Sequence, residues 1–276
     1  MPLKEKPNTG ITYVQSFASL FGKAYELNVL VESLHSVFNS TNITDLNSYK
    51  VRQLKRISRV VETFISIVLR KEDLISAHSI LRCIVDSTVV LFLLYDKDDQ
   101  EEILLRHYLY ILDANDERNK VVGNPDLDGC PVIIQKEVRT PYEFSKENFE
   151  RTELLCESKI KELSIYKENT SDIDSLIKKR QWKYINMSAH EKNIKWEQLY
   201  ENFPKIVLAK YTGFLSQDVH NLAFSVENLD TSARDFVGDI MYASYLCEQL
   251  INFIERRMTD LWLPKVQEYY EKITSK

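Results

Sequence analysis

The sequence is poor in the residues that interrupt regular secondary structure. It contains 6 glycines and 7 prolines in 276 residues, which is about 5% where about 12% is average for soluble proteins. A β-sandwich or barrel needs many tight turns, and a nucleotide-binding α/β fold needs a glycine-rich phosphate loop. The scarcity of both residues therefore disfavours these folds and favours an all-α protein with few long breaks.

Cysteine pairs and long apolar runs are also missing. The four cysteines are widely spaced and form no C-x-x-C pair, so the sequence shows neither a zinc ribbon nor a thioredoxin motif. The most apolar run, 89–95, reaches 13 residues when extended back to Cys83 and then includes Asp86. A bilayer crossing needs about 20 residues, and the N-terminus shows no signal-peptide pattern. These features predict a soluble cytoplasmic protein with no membrane segment.

Several sequence motifs of cofactor and metal sites do not occur. The chain has no G-x-x-x-x-G-K-[ST], G-x-G-x-x-G, H-E-x-x-H or G-x-S-x-G sequence. One Glu-x-x-His pair exists, formed by Glu32 and His35. A ferritin-like di-iron site requires two such pairs and two further glutamates, so the sequence predicts neither a metal nor a cofactor.

Helical periodicity dominates what remains. Apolar residues recur at three- and four-residue steps along most of the chain, which places them on one face of a helix. The predicted helices cover 11–39, 46–69, 71–95, 98–122, 145–166, 172–180, 191–202, 204–216, 233–257 and 264–273. The sequence thus predicts an all-α bundle of about eight to ten helices.

The predicted bundle is interrupted in the middle of the chain. Five of the thirteen glycines and prolines fall between residues 123 and 141, and 132–138 reads as an extended edge. We therefore predict the N-terminal half of the bundle in 1–122, a loop-rich break or insertion in 123–144 and a small helical addition in 145–202. Residues 203–276 complete the bundle, so that the chain forms one domain overall.

Two oppositely charged residues lie in the most apolar predicted helix. Arg82 and Asp86 are four residues apart and so share one helix face. Because a charge buried without a partner is costly, the pair has two interpretations. It is an internal ion pair that locks helix packing, or it is the charged floor of a pocket.

A second polar pair lies near the end of a later helix. Ser216 and His220 are one helical turn apart. Histidine titrates near neutral pH and can act as a general acid or base. The pair is either part of a reactive site or a hydrogen-bonding cluster that caps the helix.

A basic stripe stands out against the acidic balance of the whole chain. The sequence has 36 basic and 41 acidic residues, a net charge of −5. Arg52, Lys55, Arg56 and Arg59 nevertheless follow a three–four spacing and share one face. Such a patch can hold the phosphates of a nucleic acid, and it can also be an ordinary solvated helix face.

Three short elements together resemble a bacterial family of uncharacterised all-helical proteins. They are the Arg82-x-x-x-Asp86 helix, the sequence Arg106-His107-Tyr108 and the later Tyr211-x-x-x-x-Ser216-x-x-x-His220. The resemblance covers roughly residues 71–120 and 210–228. That family is in turn distantly similar to HEPN domains, which are helical bundles of toxin–antitoxin and phage-defence systems.

The resemblance implies two functions. Many HEPN proteins are metal-independent ribonucleases that use an Arg-x4–6-His motif, but no arginine here lies five to seven positions before any of the five histidines. The first hypothesis is a sensor or interaction subunit of a defence or toxin–antitoxin system, with RNA, a protein or a second copy as partner. The second is a ribonuclease with His220 as general acid or base, Arg82 at the phosphate, Asp86 orienting Arg82 and Ser216 hydrogen-bonding the substrate or His220.

Overall fold

The computed structural model describes residues 12–70, 73–123, 129, 131–184, 194–219 and 232–275, with the backbone alone described at 121–123, 138–146 and 217–219. Every regular element in these ranges is a helix, which confirms the predicted all-α fold. The helices are α1 Tyr13–His35, α2 Leu46–Arg70, α3 Leu74–Tyr95, α4 Gln100–Gly123, α5 Val132–Glu162, α6 Ser164–Glu168, α7 Thr170–Lys178, α8 Trp196–Glu201, α9 Ala209–Val219, α10 Val237–Arg257, a 3₁₀ turn Thr259–Leu261 and α11 Pro264–Thr274.

Local sequence fixes where the first helices begin. Thr12 and Gln15 form a capping box, because the Thr12 side chain accepts from the Gln15 backbone and the Gln15 side chain accepts from the Thr12 backbone. Asp73 caps α3 by accepting a 2.8 Å hydrogen bond from the Ser76 backbone N–H. Such caps satisfy N–H groups that have no partner inside the helix.

The chain divides into two compact units, of which the first comprises Met1–Asp96 and Tyr200–Lys276. In this unit α1 packs against α2, α10 and α11, while α3 packs against α2, α9 and α10. Helix α3 supplies much of the core, and Leu81, Ile84 and Val85 are fully buried. This arrangement brings α9 beside α3, although well over 100 residues separate the two helices along the chain.

The second unit comprises Lys97–Leu199. Here α4 packs against α5, and the short helices α6 and α7 pack against α4. A hydrogen bond of 2.8 Å from the Trp182 indole to Asp113 Oδ2 joins the segment after α7 to α4.

The observed organisation differs from the predicted one in two places. Helix α4, predicted in the first half of the bundle, belongs to the second unit. Helix α5 begins at Val132, so the extended edge predicted at 132–138 is wrong. The β-branched residues there suggested a strand, but Pro131 directly precedes the first turn, where a helix needs no backbone donor.

Helix α3 is long and apolar enough to cross a membrane by length and composition. However, 61% of its most apolar stretch is buried inside the structure. The mostly buried core helix of a water-soluble bundle meets the same criteria of length and composition.

Candidate functional site

Arg82 lies on α3 beside the carboxylate one helical turn further along. Its Nε lies 3.1 Å from both Oδ1 and Oδ2 of Asp86. The ion pair predicted from the four-residue spacing is therefore present. Its two side chains are 16% and 32% exposed, so both charges are largely removed from water.

The same guanidinium also reaches α9. Its Nη1 donates to the Thr212 carbonyl oxygen at 2.8 Å and to Ser216 Oγ at 2.5 Å. Ser216 Oγ in turn donates to the Thr212 carbonyl at 3.1 Å. The structure thus brings Arg82, Asp86 and Ser216 together, whereas His220 lies outside the described residues.

Tyr200 completes this cluster and was not among the predicted site residues. Its hydroxyl donates to Asp86 Oδ1 at 2.5 Å and accepts from Arg82 Nη2. The guanidinium carbon lies 4.9 Å from the centre of the Tyr200 ring. Burial, and next the hydrogen bond to Asp86, raise the pKa of Tyr200 above its ordinary value.

We call this cluster of Arg82, Asp86, Tyr200, Thr212 and Ser216 the Arg82 clasp. All three guanidinium nitrogens of the arginine already donate to protein atoms. An arginine has five N–H donors, and four acceptor groups of the protein take most of them here. The geometry therefore favours the interpretation as an ion pair that locks helix packing.

The predicted basic stripe lines a hollow on the surface of the first unit. Arg52, Lys55, Arg56 and Arg59 of α2 surround about 430 Å³ of space, together with His35 from α1. We call this the α2 basic hollow. Its walls combine the stripe that the spacing predicted with a histidine from a different helix.

The positive charges of this hollow are only partly balanced. Lys55 Nζ donates to Glu32 Oε2 at 2.9 Å and lies 3.3 Å from His35 Nδ1. Within the described parts of the chain, no carboxylate lies within ion-pair distance of Arg52, Arg56 or Arg59. Arg56 and Arg59 are exposed, whereas Arg52 is partly buried and its guanidinium carbon lies 5.2 Å from the centre of the Tyr49 ring. In the described structure, no carboxylate therefore competes with an anion for these three groups.

Partial burial and nearby positive charge both lower the pKa of His35. Its partial burial, followed by the charge of Lys55, lowers the pKa of the imidazole below its ordinary value, and Glu32 opposes the shift. The ring is therefore neutral at pH 7, and it gains a proton only under more acidic conditions.

The Glu32–His35 pair has no third His, Cys, Asp or Glu ligand beside it among the residues that the structure describes. Across the described residues, no group of three or more His, Cys, Asp or Glu side chains is arranged to hold a metal ion. Glu32 is instead engaged by Lys55.

Arg106, which contributed to the family resemblance, is fully buried in the second unit. It donates from Nε to Glu102 and from Nη1 to the Tyr184 carbonyl, each at 2.8 Å, and lies 3.8 Å from the centre of the Tyr184 ring. Burial raises the pKa of Tyr184 to about 12. These contacts hold the segment after α7 against α4, which is a structural role.

Comparisons of the chain with protein-family models, with curated proteins and with solved structures found no match. Two places in the first unit have the chemistry of a candidate site, the Arg82 clasp and the α2 basic hollow.

Proposed function

We propose that the protein is a non-catalytic sensor or interaction subunit that binds RNA through the α2 basic hollow. One observation carries this proposal: three guanidinium groups without a carboxylate partner in the described structure line one open hollow. The net charge of −5 gives the protein as a whole no attraction for a polyanion. A local concentration of arginine is therefore the feature that can capture one.

The spacing of the arginines suits a phosphate chain. Arg52 and Arg59 are seven residues apart on α2, which is about 10 Å along the helix axis. Side chains at this separation can contact more than one phosphate of a single strand. Arginine pairs with phosphate through two parallel hydrogen bonds and stacks on exposed bases, which lysine cannot do.

Binding of a fluorescently labelled single-stranded RNA tests this proposal. We expect the variant Arg56→Glu/Arg59→Glu to lose at least about tenfold in affinity, because two phosphate contacts become repulsions. The matched control is Lys265→Glu/Lys272→Glu, which changes the net charge equally at two exposed lysines of α11. Equal losses in both variants, or none in the first, would contradict binding at the hollow.

A metal-independent ribonuclease is the second candidate. Its support is the contact between Arg82 and Ser216, because Ser216 precedes His220 by four residues. In this proposal His220 is the general acid or base and helps a ribose 2′-hydroxyl attack its phosphate, while Arg82 offsets the charge that develops there and Asp86 orients Arg82. This proposal is tested by measuring RNA cleavage by the purified protein and by its His220→Ala variant, with a chelator present. Loss of RNA cleavage on substitution supports the enzyme, and equal cleavage removes His220 from the mechanism.

A further inference from the structure

The outward surface of α1 is apolar where the surface of a solvated helix would be charged. Val14, Phe21 and Tyr25 are 73%, 57% and 55% exposed, and Ala18 between them is exposed as well. A surface helix of a soluble protein carries polar and charged side chains on the face opposite its core. Val14, Ala18, Phe21 and Tyr25 depart from that pattern, and we call them the α1 stripe.

The α1 stripe lies on the side of the helix that the rest of the fold leaves uncovered. Its spacings of four, three and four residues place its members on one line, about 16 Å long from first to last. The core side of the same helix includes Leu20 and Leu27, which are fully buried. Packing against α2, α10 and α11 therefore does not use the α1 stripe.

No charged side chain interrupts the α1 stripe. Between Val14 and Tyr25, the other exposed residues are Gln15, Ser19 and Gly22. Lys23 is half-buried and pairs with Glu26 at 3.3 Å. A nucleic acid or an anionic membrane is captured by positive charge, whereas the cores of protein–protein interfaces are poor in charge and rich in aromatic rings. The composition of the stripe therefore fits a protein partner.

Two neighbouring helices extend this apolar surface. Leu69 of α2, which is 59% exposed, follows Val68, whose carbonyl accepts a 2.6 Å hydrogen bond from the Tyr13 hydroxyl at the start of α1. On the other side, Met241 of α10 lines a groove together with Gln15 of α1. The exposed apolar residues of three helices thus lie around the α1 stripe.

The exposed apolar area agrees with that of a dimer interface. An aromatic side chain buries roughly 150–250 Å², so Phe21 and Tyr25 each leave roughly 100 Å² in water. With Val14, Leu69 and Met241, the exposed apolar area is on the order of 500 Å². A dimer of ordinary size buries about 800 Å² per partner, of which about 65% is apolar. The surface around the α1 stripe supplies an area of that size.

We infer that two copies of this chain associate through their α1 stripes in antiparallel orientation. The four–three–four spacing reads the same in both directions, so reversing one helix brings Val14 level with Tyr25 of the second copy. It also brings Ala18 level with Phe21 of the second copy. Each level thus holds one smaller side chain and one ring, which is the alternation that lets facing helices interdigitate. The stripe is therefore complementary to itself, as a twofold interface requires.

Gly22 adds room for the ring of the second copy. A Cβ atom at this position would meet nothing within 4 Å in the described structure, so no contact there requires a glycine. Glycine weakens a helix interior relative to alanine. Together with Ala18 one turn earlier, it leaves the backbone beside Phe21 bare and open to close approach.

The segment that precedes the stripe in sequence is a poorer match for it. Residues 1–11 hold two large aliphatic residues, Leu3 and Ile11, and three consecutive charged residues at 4–6. A segment with so few apolar side chains gains little from covering three large ones and loses hydration of its charges. This composition favours a second copy as the occupant of the α1 stripe.

Sedimentation equilibrium of the full-length protein without RNA tests the inference. We expect the mean mass to rise from 32.4 kDa toward twice that value as the protein concentration increases to about 100 µM. A protein that stays monomeric, or one that forms open-ended larger assemblies, would overturn the inference. A monomer would leave the stripe to residues 1–11 or to a different protein.

Charged substitutions test whether the α1 stripe forms the interface. Phe21→Glu should raise the dissociation constant of the dimer at least about tenfold, because it places a carboxylate in the apolar contact. Leu154→Glu is the matched control, since Leu154 is 70% exposed on α5. Thermal unfolding establishes that both variants are folded. An unchanged dimer in Phe21→Glu, or equal weakening in both variants, would overturn the assignment.

A mixture of two variants tests the antiparallel pairing. Ala18→Lys alone and Phe21→Glu alone should each be monomeric, because each variant places its charge against an apolar side chain of its own copy. Mixed in equal amounts they should form a dimer, since the introduced ammonium lies level with the introduced carboxylate and the other Ala18–Phe21 contact is kept. A mixture that stays monomeric would overturn the antiparallel pairing.

Discussion

One arginine of the Arg82 clasp and three arginines of the α2 basic hollow lie in the same unit but have different surroundings. In the Arg82 clasp the fold supplies Asp86, Tyr200, Ser216 and a backbone carbonyl to one guanidinium. In the α2 basic hollow three guanidinium groups share a surface without a carboxylate partner in the described structure. The first arrangement stabilises the fold, whereas the second leaves charge available to a ligand.

Whether a charge is paired inside the fold separates structural arginines from candidate binding arginines in this protein. A buried charge has to be paired inside the molecule, since an unpaired one is strongly destabilising. Exposed like charges on one helix face oppose each other mildly, and an anion relieves that opposition. A group of solvent-accessible charges that the fold leaves unpaired is therefore the better candidate for binding, and the following substitutions test this distinction.

The largest expected effect is on folding and follows removal of Arg82. Arg82→Met should lower the free energy of unfolding by about 2–4 kcal/mol, because it leaves Asp86 and Tyr200 without their cationic partner. Arg56→Met should change it by no more than about 0.5 kcal/mol, since Arg56 is exposed. Urea denaturation measures both free energies of unfolding. Similar losses of stability in the two variants would contradict the difference between a structural Arg82 and an unpaired Arg56.

The second-largest loss of stability is expected when the hydrogen bonds of the Tyr200 hydroxyl are removed. Tyr200→Phe keeps the buried ring but removes the hydroxyl between Arg82 and Asp86, which should cost about 1–3 kcal/mol. The matched control Tyr245→Phe removes a hydroxyl at a more exposed position and should cost less. Urea denaturation measures this cost. If Tyr200→Phe is as stable as the original protein, the Tyr200 hydroxyl does not stabilise the clasp.

Substitutions in the α2 basic hollow should have a smaller effect on the free energy of unfolding, and should raise it where those in the clasp lower it. Arg56→Gln/Arg59→Gln should leave the free energy of unfolding unchanged or raise it by a few tenths, about 0.2–0.5 kcal/mol, because repulsion between neighbouring arginines is relieved. The same variant should bind RNA more weakly. Thermal unfolding and RNA titration on one sample check both, and a marked loss of stability would show that these arginines hold the fold together.

The smallest expected effect is a pH dependence from His35. Its pKa is lowered in the folded protein, so the unfolded state binds more protons between that pKa and about 6.5. The contribution of His35 to the free energy of unfolding is therefore fully present above about pH 6.5. It is lost as the pH falls toward the pKa that His35 has in the folded protein. RNA affinity should change in the opposite direction, since protonation adds a positive charge to the hollow.

The variant His35→Gln isolates this contribution. It should flatten the dependence of RNA affinity on pH between 5.5 and 8, as measured by titration at constant ionic strength. An unchanged dependence would assign the effect to another group.

The sequence predicted what depends on neighbouring residues. The pairing of Arg82 with Asp86 follows from a four-residue helical spacing, and the shared face of Arg52 and Arg59 follows in the same way. Tyr200 was missed because it lies 114 positions from Asp86, and only packing brings the two together. The joining of His35 to the basic stripe likewise depends on how α1 packs against α2.

The salt dependence of RNA binding tests most directly whether RNA binds at the α2 basic hollow. For single strands, each phosphate contact contributes about 0.7 to the slope of log affinity against log salt concentration. We expect Arg56→Glu/Arg59→Glu to lower the magnitude of this slope by about 1.4, and Arg82→Met, measured where it is folded, to leave the slope unchanged. An unchanged slope in the double variant, or a loss confined to Arg82→Met, would contradict the assignment of binding to the α2 basic hollow.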